Sequence, residues 1–113
     1  MFHLLFLLVV SHALCDFALQ SDRMARGKNR HGERSDPDGV LPEWYYWMTT
    51  HAIIHGGGVA LVTNSPTLGI AEVFFHWLID FGKCDKRYGF HADQFLHICC
   101  KIAWAWLAIS YAT

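Results

Sequence analysis

Four pairs of ligand-type side chains recur at i, i+4 spacing in this 113-residue chain: His12/Asp16, His51/His55, His76/Asp80 and Asp93/His97. Residues four apart lie one above the other on the same helix face. Each pair is therefore a two-pronged donor set of the kind that grips a divalent cation. Composition alone gives roughly one or two such pairs in a chain of this kind. None of the four falls in the polar stretches, although His31, Asp22, Asp36, Asp38 and Asp85 lie there. Mixed imidazole and carboxylate donors suit Zn, Mn or Fe, and spacing does not choose among them. The plainer reading is that these groups hydrogen-bond across helices and fix their packing, at about 0.6 kcal/mol each. One pair would favour that reading, whereas four pairs on four segments favour a site.

The segments that must position these pairs are marked by where charge is missing. Eight of the nine Lys and Arg residues lie within residues 21–43 and 82–91, and only Lys101 escapes. Between them run four apolar stretches, at about 2–20, 44–63, 67–82 and 91–112. The second carries no Lys, Arg, Asp or Glu over the roughly 20 residues that a helix needs to span a bilayer. The expected fold is all-α, an integral membrane four-helix bundle forming one domain, with a polar basic loop at 21–43. Composition agrees: 53% of residues are hydrophobic and 15% aromatic, but only 17% are charged, against about 25% in ordinary globular domains. That balance excludes a disordered or collagen-like chain and is too oily for a small soluble domain. A net charge of −1 gives no basic face for a nucleic-acid partner.

The basic stretches orient the bundle, because Lys and Arg collect on the cytoplasmic side. Loops 21–43 and 82–91 are expected to be cytoplasmic and both termini to face outward. All four pairs then fall toward the cytoplasmic ends of their helices, so one layer of the bundle receives them. Asp36-Pro37-Asp38-Gly39 reads as a turn, Pro42 as a helix start, and Trp44, Tyr45, Tyr46 and Trp47 as an interfacial belt. Residues 1–20 also resemble a secretory signal, but they lack a basic leader, and cleavage would remove part of the site. Cys15, Cys84, Cys99 and Cys100 read as reduced, buried thiols rather than a disulfide framework. Gly56-Gly57-Gly58 reads as a close helix approach or a local unwinding near the site, the former favoured. Glu72 is either a proton-path residue or an interfacial charge, and Lys101 either a counter-ion or a snorkelling side chain. Trp104 and Trp106 read as an outer belt, and His3, His31 and His91 as solvated.

No G-x-S-x-G, C-x-x-C or H-E-x-x-H motif is present, which leaves nucleophilic catalysis weak. The order of short motifs is more specific. His12, Asp16, Phe17 and Gln20 form H-x3-D-F-x2-Q; His76 to Lys83 form H-x-L-I-D-x2-K; Asp93, Gln94 and His97 form D-Q-x2-H. With a lysine at 28 and a histidine at 51 or 55, the chain resembles the DUF3307 family, small polytopic membrane proteins of bacteria and their phages, over nearly its whole length. The short loops and the H-A-I-I-H-G-G-G stretch are similar to those of phage-borne members. The resemblance implies a multi-pass protein of the bacterial inner membrane and places His12, Asp16, Gln20, Lys28, His76, Asp80, Lys83, Asp93, Gln94 and His97 at the family's motif positions. It carries no settled activity. A likeness to inner-membrane proteins described as metal-dependent hydrolases is analogy alone.

The function these residues suggest is metal-dependent hydrolysis. One or two divalent ions would be held by His12, Asp16, His76, Asp80, Asp93 and His97, with His51 or His55 completing the shell. Asp16, Asp80 and Lys83 would carry the chemistry, Lys83 facing developing negative charge, while Gln20 and Gln94, with Lys28 from the family match, orient the ligands. A lipid or lipid-linked phosphoester reaching the site from the bilayer is the expected substrate. The rival is a non-enzymatic effector that binds a host membrane protein or a second copy of itself, with the polar layer purely structural. An ion or proton conduit is the third reading, although polar residues thin out beyond Glu72 and Lys101.

Overall fold

A computed structural model describes residues 1–32 and 39–111. Among the described residues every regular element is helical. Helix α1 (Phe2–Ala13) continues into one π-helical turn at Leu14–Ala18, closed by Leu19 N–H donating to the Leu14 carbonyl at 2.8 Å. A short α2 (Asp22–Gly27) follows, then α3 (Trp44–Thr63), α4 (Pro66–Cys84) and α5 (Phe90–Ser110). The expected continuous helix over 2–20 thus ends at Ala18 and widens before it ends. The stretch expected as a loop at 21–43 contains α2. The Asp36-Pro37-Asp38 turn and the end of the 91–112 segment at residue 112 lie outside the described residues.

Local chemistry accounts for the helix ends. Ser21 caps α2 by accepting from Met24 N–H at 3.1 Å, and Ser65 caps α4 by accepting from Leu68 N–H at 3.3 Å, with Pro66 in the first turn. Asn64 stops α3 in the left-handed region at φ 54°, so α3 and α4 form a tight antiparallel hairpin. The 84–90 turn is latched to the α2 side by Arg30, which donates to both Asp85 oxygens at 2.9 and 2.6 Å while its guanidinium sits over Phe81. That guanidinium holds the Asp85 carboxyl below its ordinary value. The latch is complete above the unfolded carboxyl's pKa of about 4 and is lost as pH falls through the lowered one.

The distribution of polarity is inverted. The side chains with the least exposure include Lys101, His51, His55, His76, His97, Glu72, Asp80 and Asp93, whereas Phe2, Leu61, Ile70 and Phe95 are 68–87% exposed. The apolar core is small: Leu8, Val59, Trp104 and Ala105, from α1, α3 and α5, fill the end of the bundle away from α2. Among the described residues, no helix is long and apolar enough to cross a membrane. Helix α1 is only 12 residues long, and polar groups lower the apolar content of α4 (Glu72, His76 and Asp80) and α5 (Asp93, His97 and Lys101). The bilayer-spanning part of the expected fold therefore has no support from helix hydropathy.

The glycine run brings three helices together. A Cβ on Gly56 would collide with the Val73 side chain and lie 2.6 Å from the Gly69 carbonyl of α4, and one on Gly58 would collide with Ser11 of α1. Gly57, between them, faces open space. Gly56→Ala and Gly58→Ala should each destabilise the bundle by about 1–3 kcal/mol through overpacking. Gly57→Ala should stabilise it by about 0.5–1 kcal/mol, because only the backbone entropy of glycine is removed. Unfolding midpoints of the three variants in one detergent give the comparison.

Candidate metal centre

Each long helix turns its polar stripe inward at the same level. From α3, His51 Nε2 lies 3.2 Å from Asp16 Oδ1 and 3.4 Å from Asp80 Oδ2, and His55 Nε2 lies 3.3 Å from Asp16 Oδ1. From α4, His76 Nε2 is 3.6 Å from Asp80 Oδ2. From α5, His97 Nε2 is 3.0 Å from Asp80 Oδ1 and 3.4 Å from Asp93 Oδ1. His12 of α1 is 3.0 Å from Gln94 Oε1 and 3.7 Å from Asp16 Oδ2. All eight expected ligand residues are buried and share this layer. The rings of His55, His76 and His97 form a stack, with centroids 3.7 and 4.1 Å apart.

Among the described residues, three sets of side chains place one donor atom each within 4.8 Å of all the others: Asp16, His51, His55 and His76; Glu72, His76 and His97; and Asp80, Asp93 and His97. The first has the four ligands and mixed N/O character of a Zn or Mn site. Its fit to a cation shows best at His76 Nε2, buried without a hydrogen-bond partner, while His55 Nε2 and, in the third set, Asp93 Oδ1 make only unaligned approaches to Asp16 and His97; His12, His51 and His97 each also leave Nδ1 unpartnered. Buried polar atoms are rarely left so, and each calls for an explanation. Asp16 sits on the π turn, a distortion that recurs at functional sites.

The supporting residues divide. Gln94 donates to Asp16 Oδ2 at 2.7 Å and to Asp93 Oδ2 at 3.2 Å, linking α1 to α5. Lys28, just after α2, reaches in to donate to Asp80 Oδ2 at 2.5 Å and is 2% exposed, so the short helix delivers a cation into the layer. Gln20 instead folds back onto the Asp16 backbone carbonyl at 3.1 Å and touches no ligand side chain. Lys83 lies at the edge, 3.9 Å from Asp93 and partly exposed.

One turn beyond the expected site, Glu72 accepts from His76 Nδ1, Lys101 Nζ and Trp104 Nε1 at 3.2, 2.5 and 2.6 Å. Trp104 is thus a buried partner of a carboxylate, not part of an outer belt, while Trp106 is exposed. Glu72 stands four residues before His76, and Lys101 four after His97. The sequence singles out both and leaves their roles open; the structure makes Lys101 the counter-ion of Glu72. His31 pairs with Asp85 at 3.1 Å, while His3 and His91 are exposed. All four cysteines are free; Cys15 and Cys84 are buried, but Cys99, expected to be buried, is exposed.

The Lys28–Asp80 contact carries a measurable cost, because removing one partner of a buried pair strands the other. Lys28→Met should destabilise the fold by about 3 kcal/mol. Adding Asp80→Asn should return at least about 1 kcal/mol of that in a double-mutant cycle followed by denaturant unfolding.

No curated protein and no solved structure matches the chain. A family model does, that of DUF3307, described as a protein of unknown function, over residues 4–113. The chain belongs to the DUF3307 family.

Proposed function

We propose that this protein is a membrane-embedded, metal-dependent hydrolase whose cation is held by Asp16, His51, His55 and His76. The observation that carries the reading is a charge imbalance inside the bundle. Among the described residues four carboxylates, Asp16, Glu72, Asp80 and Asp93, are buried with two ammonium groups, Lys28 and Lys101. Uncompensated buried carboxylates cost several kcal/mol each. The two ammonium groups answer two of the four, which leaves the remaining negative charge to be met within the layer by the imidazoles and a cation. The orphaned His55 and His76 nitrogens lie in the four-donor set that would receive it.

A divalent ion held there supplies Lewis acidity, polarising a phosphoryl or acyl oxygen and bringing the pKa of a coordinated water toward neutrality. Asp80, outside the four-donor set, is held as the anion beside it by Lys28 and His97. Lys83, at the edge of the layer, faces incoming negative charge. The thinnest cover is at the seam of α1 and α5, where His12 and Asp16 retain 4% and 7% exposure and Gln94 is half-buried. That seam suits lateral entry of a lipid or lipid-linked phosphoester.

The inverted polarity supports a bilayer setting, since a surface bearing Phe2, Phe6, Phe17, Ile53, Leu61, Phe74 and Phe95 is better matched by lipid than by water. In that setting the basic 21–43 and 82–91 connections face the cytoplasm and the termini face outward. The chain should stay with the membrane fraction through an alkaline carbonate wash, and release into the supernatant would contradict the setting.

Purified protein in nanodiscs, loaded separately with Zn, Mn and Fe, should hydrolyse at least one member of a panel of phosphate-ester and acyl-ester lipids. Asp16→Asn and Asp80→Asn should each lower that rate at least 100-fold with the helical signal intact. No metal-dependent turnover with any metal, or full activity in both variants, would refute the reading.

A further inference from the structure

Glu72 has a more specific task than balancing charge. Its side chain is 1% exposed, and both of its oxygens are engaged: Oε1 by His76 Nδ1 and Lys101 Nζ, Oε2 by Trp104 Nε1. Lys101 and Trp104 can only donate, so the group they hold is an acceptor on both oxygens, an ionised carboxylate fixed in place by α5. His76 Nδ1, 3.2 Å from Oε1, then has one role open to it, that of N–H donor. A neutral imidazole protonated at Nδ1 carries its lone pair on Nε2. That Nε2 is buried, has no hydrogen-bond partner, lies 3.6 Å from Asp80 Oδ2, and belongs to the four-donor set with Asp16, His51 and His55. A lone pair facing a carboxylate oxygen in a dry interior is an arrangement of two acceptors, which either a second proton on the ring or a metal cation beside Nε2 resolves.

We propose that Glu72 is a positioning residue for the candidate metal centre: clamped by Lys101 and Trp104, it fixes His76 in the Nδ1–H tautomer and presents Nε2 to the cation. The inference rests on the metal-binding reading above and assigns a role to three residues outside the expected ligand set. It also separates Glu72 from the ligands. Glu72, His76 and His97 are close enough to hold an ion, but Lys101 already occupies the Glu72 oxygen nearest His76. Carboxylate partners of this kind orient the ring and raise the basicity of its free nitrogen, and losing one typically costs 10–100-fold in metal affinity.

Two readouts on the full-length protein in detergent test this. The first is the nitrogen-15 spectrum of His76 in metal-free protein, assigned by comparison with His76→Gln. The wild type should show the Nδ1–H tautomer, and Glu72→Gln should lose it in favour of Nε2–H or a mixture. Trp104→Phe, which keeps Lys101 on Glu72, should retain it. The second is a Co²⁺ titration followed by visible absorption, in which Glu72→Gln should bind 10–100-fold more weakly than wild type and Trp104→Phe within a few-fold of it. A wild-type His76 protonated at Nε2, or a Glu72→Gln protein unchanged in both tautomer and affinity, overturns the proposal. If the wild type takes up no Co²⁺, the metal reading fails by itself and the tautomer still decides the role of Glu72. If Glu72→Gln does not fold, the wild-type tautomer alone decides it.

Discussion

The structure depends on a concentration of charge and imidazole where a small protein ordinarily keeps aliphatic side chains. Four carboxylates, two ammonium groups and five histidine rings occupy the centre of a bundle only 26 × 21 Å across its shorter axes. No single helix could bury such groups, because each needs partners from its neighbours. Asp16 is satisfied by α3 and α5, Asp80 by α2, α3 and α5, and Glu72 by its own helix and α5. The polar layer therefore dictates which helices must meet and at what level, and the small apolar core at the opposite end closes the remainder.

Several features follow from that requirement. Helices that must exchange hydrogen bonds with their neighbours have to approach closely, and Gly56 and Gly58 permit this on two sides of α3. The chain after α1 must return a cation to the layer, and α2 does so by placing Lys28 against Asp80, with the Arg30–Asp85 latch holding the neighbouring turn. Turning polar groups inward leaves the hydrophobic residues outside. The same inversion lowers the apolar content of α4 and α5, whose inward faces carry the charged groups, while leaving an oily exterior.

Much of the site was legible as spacing. The four i, i+4 pairs specify a helix face, and apolar segments with a shared orientation specify a shared level, so His12, Asp16, His51, His55, His76, Asp80, Asp93 and His97 could be grouped without coordinates. The choice between His51 and His55 dissolves, because one helical turn presents both to Asp16. Spacing could not show the π turn at Leu14–Ala18, because i, i+4 counting assumes an unbroken α-helical register. Nor could it show that Gln20 turns back on its own helix, or that Lys28 crosses from a polar stretch into the layer. Trp104 was misread because an indole near a helix end suits an interface as well as a buried carboxylate; only the position of Glu72 distinguishes the two. Membership of the DUF3307 family, legible in the motif order, covers residues 4–113 and brings no chemistry with it.

The central claim is that the buried excess of negative charge is balanced by a divalent cation. Elemental analysis of the detergent-purified protein beside a His76→Ala/Asp80→Ala variant of matched stability and oligomeric profile tests it most directly. The account predicts close to one equivalent or more of Zn, Mn or Fe per chain in the parent and its loss in the variant. A parent that carries no metal, before and after reconstitution with each ion, would contradict it.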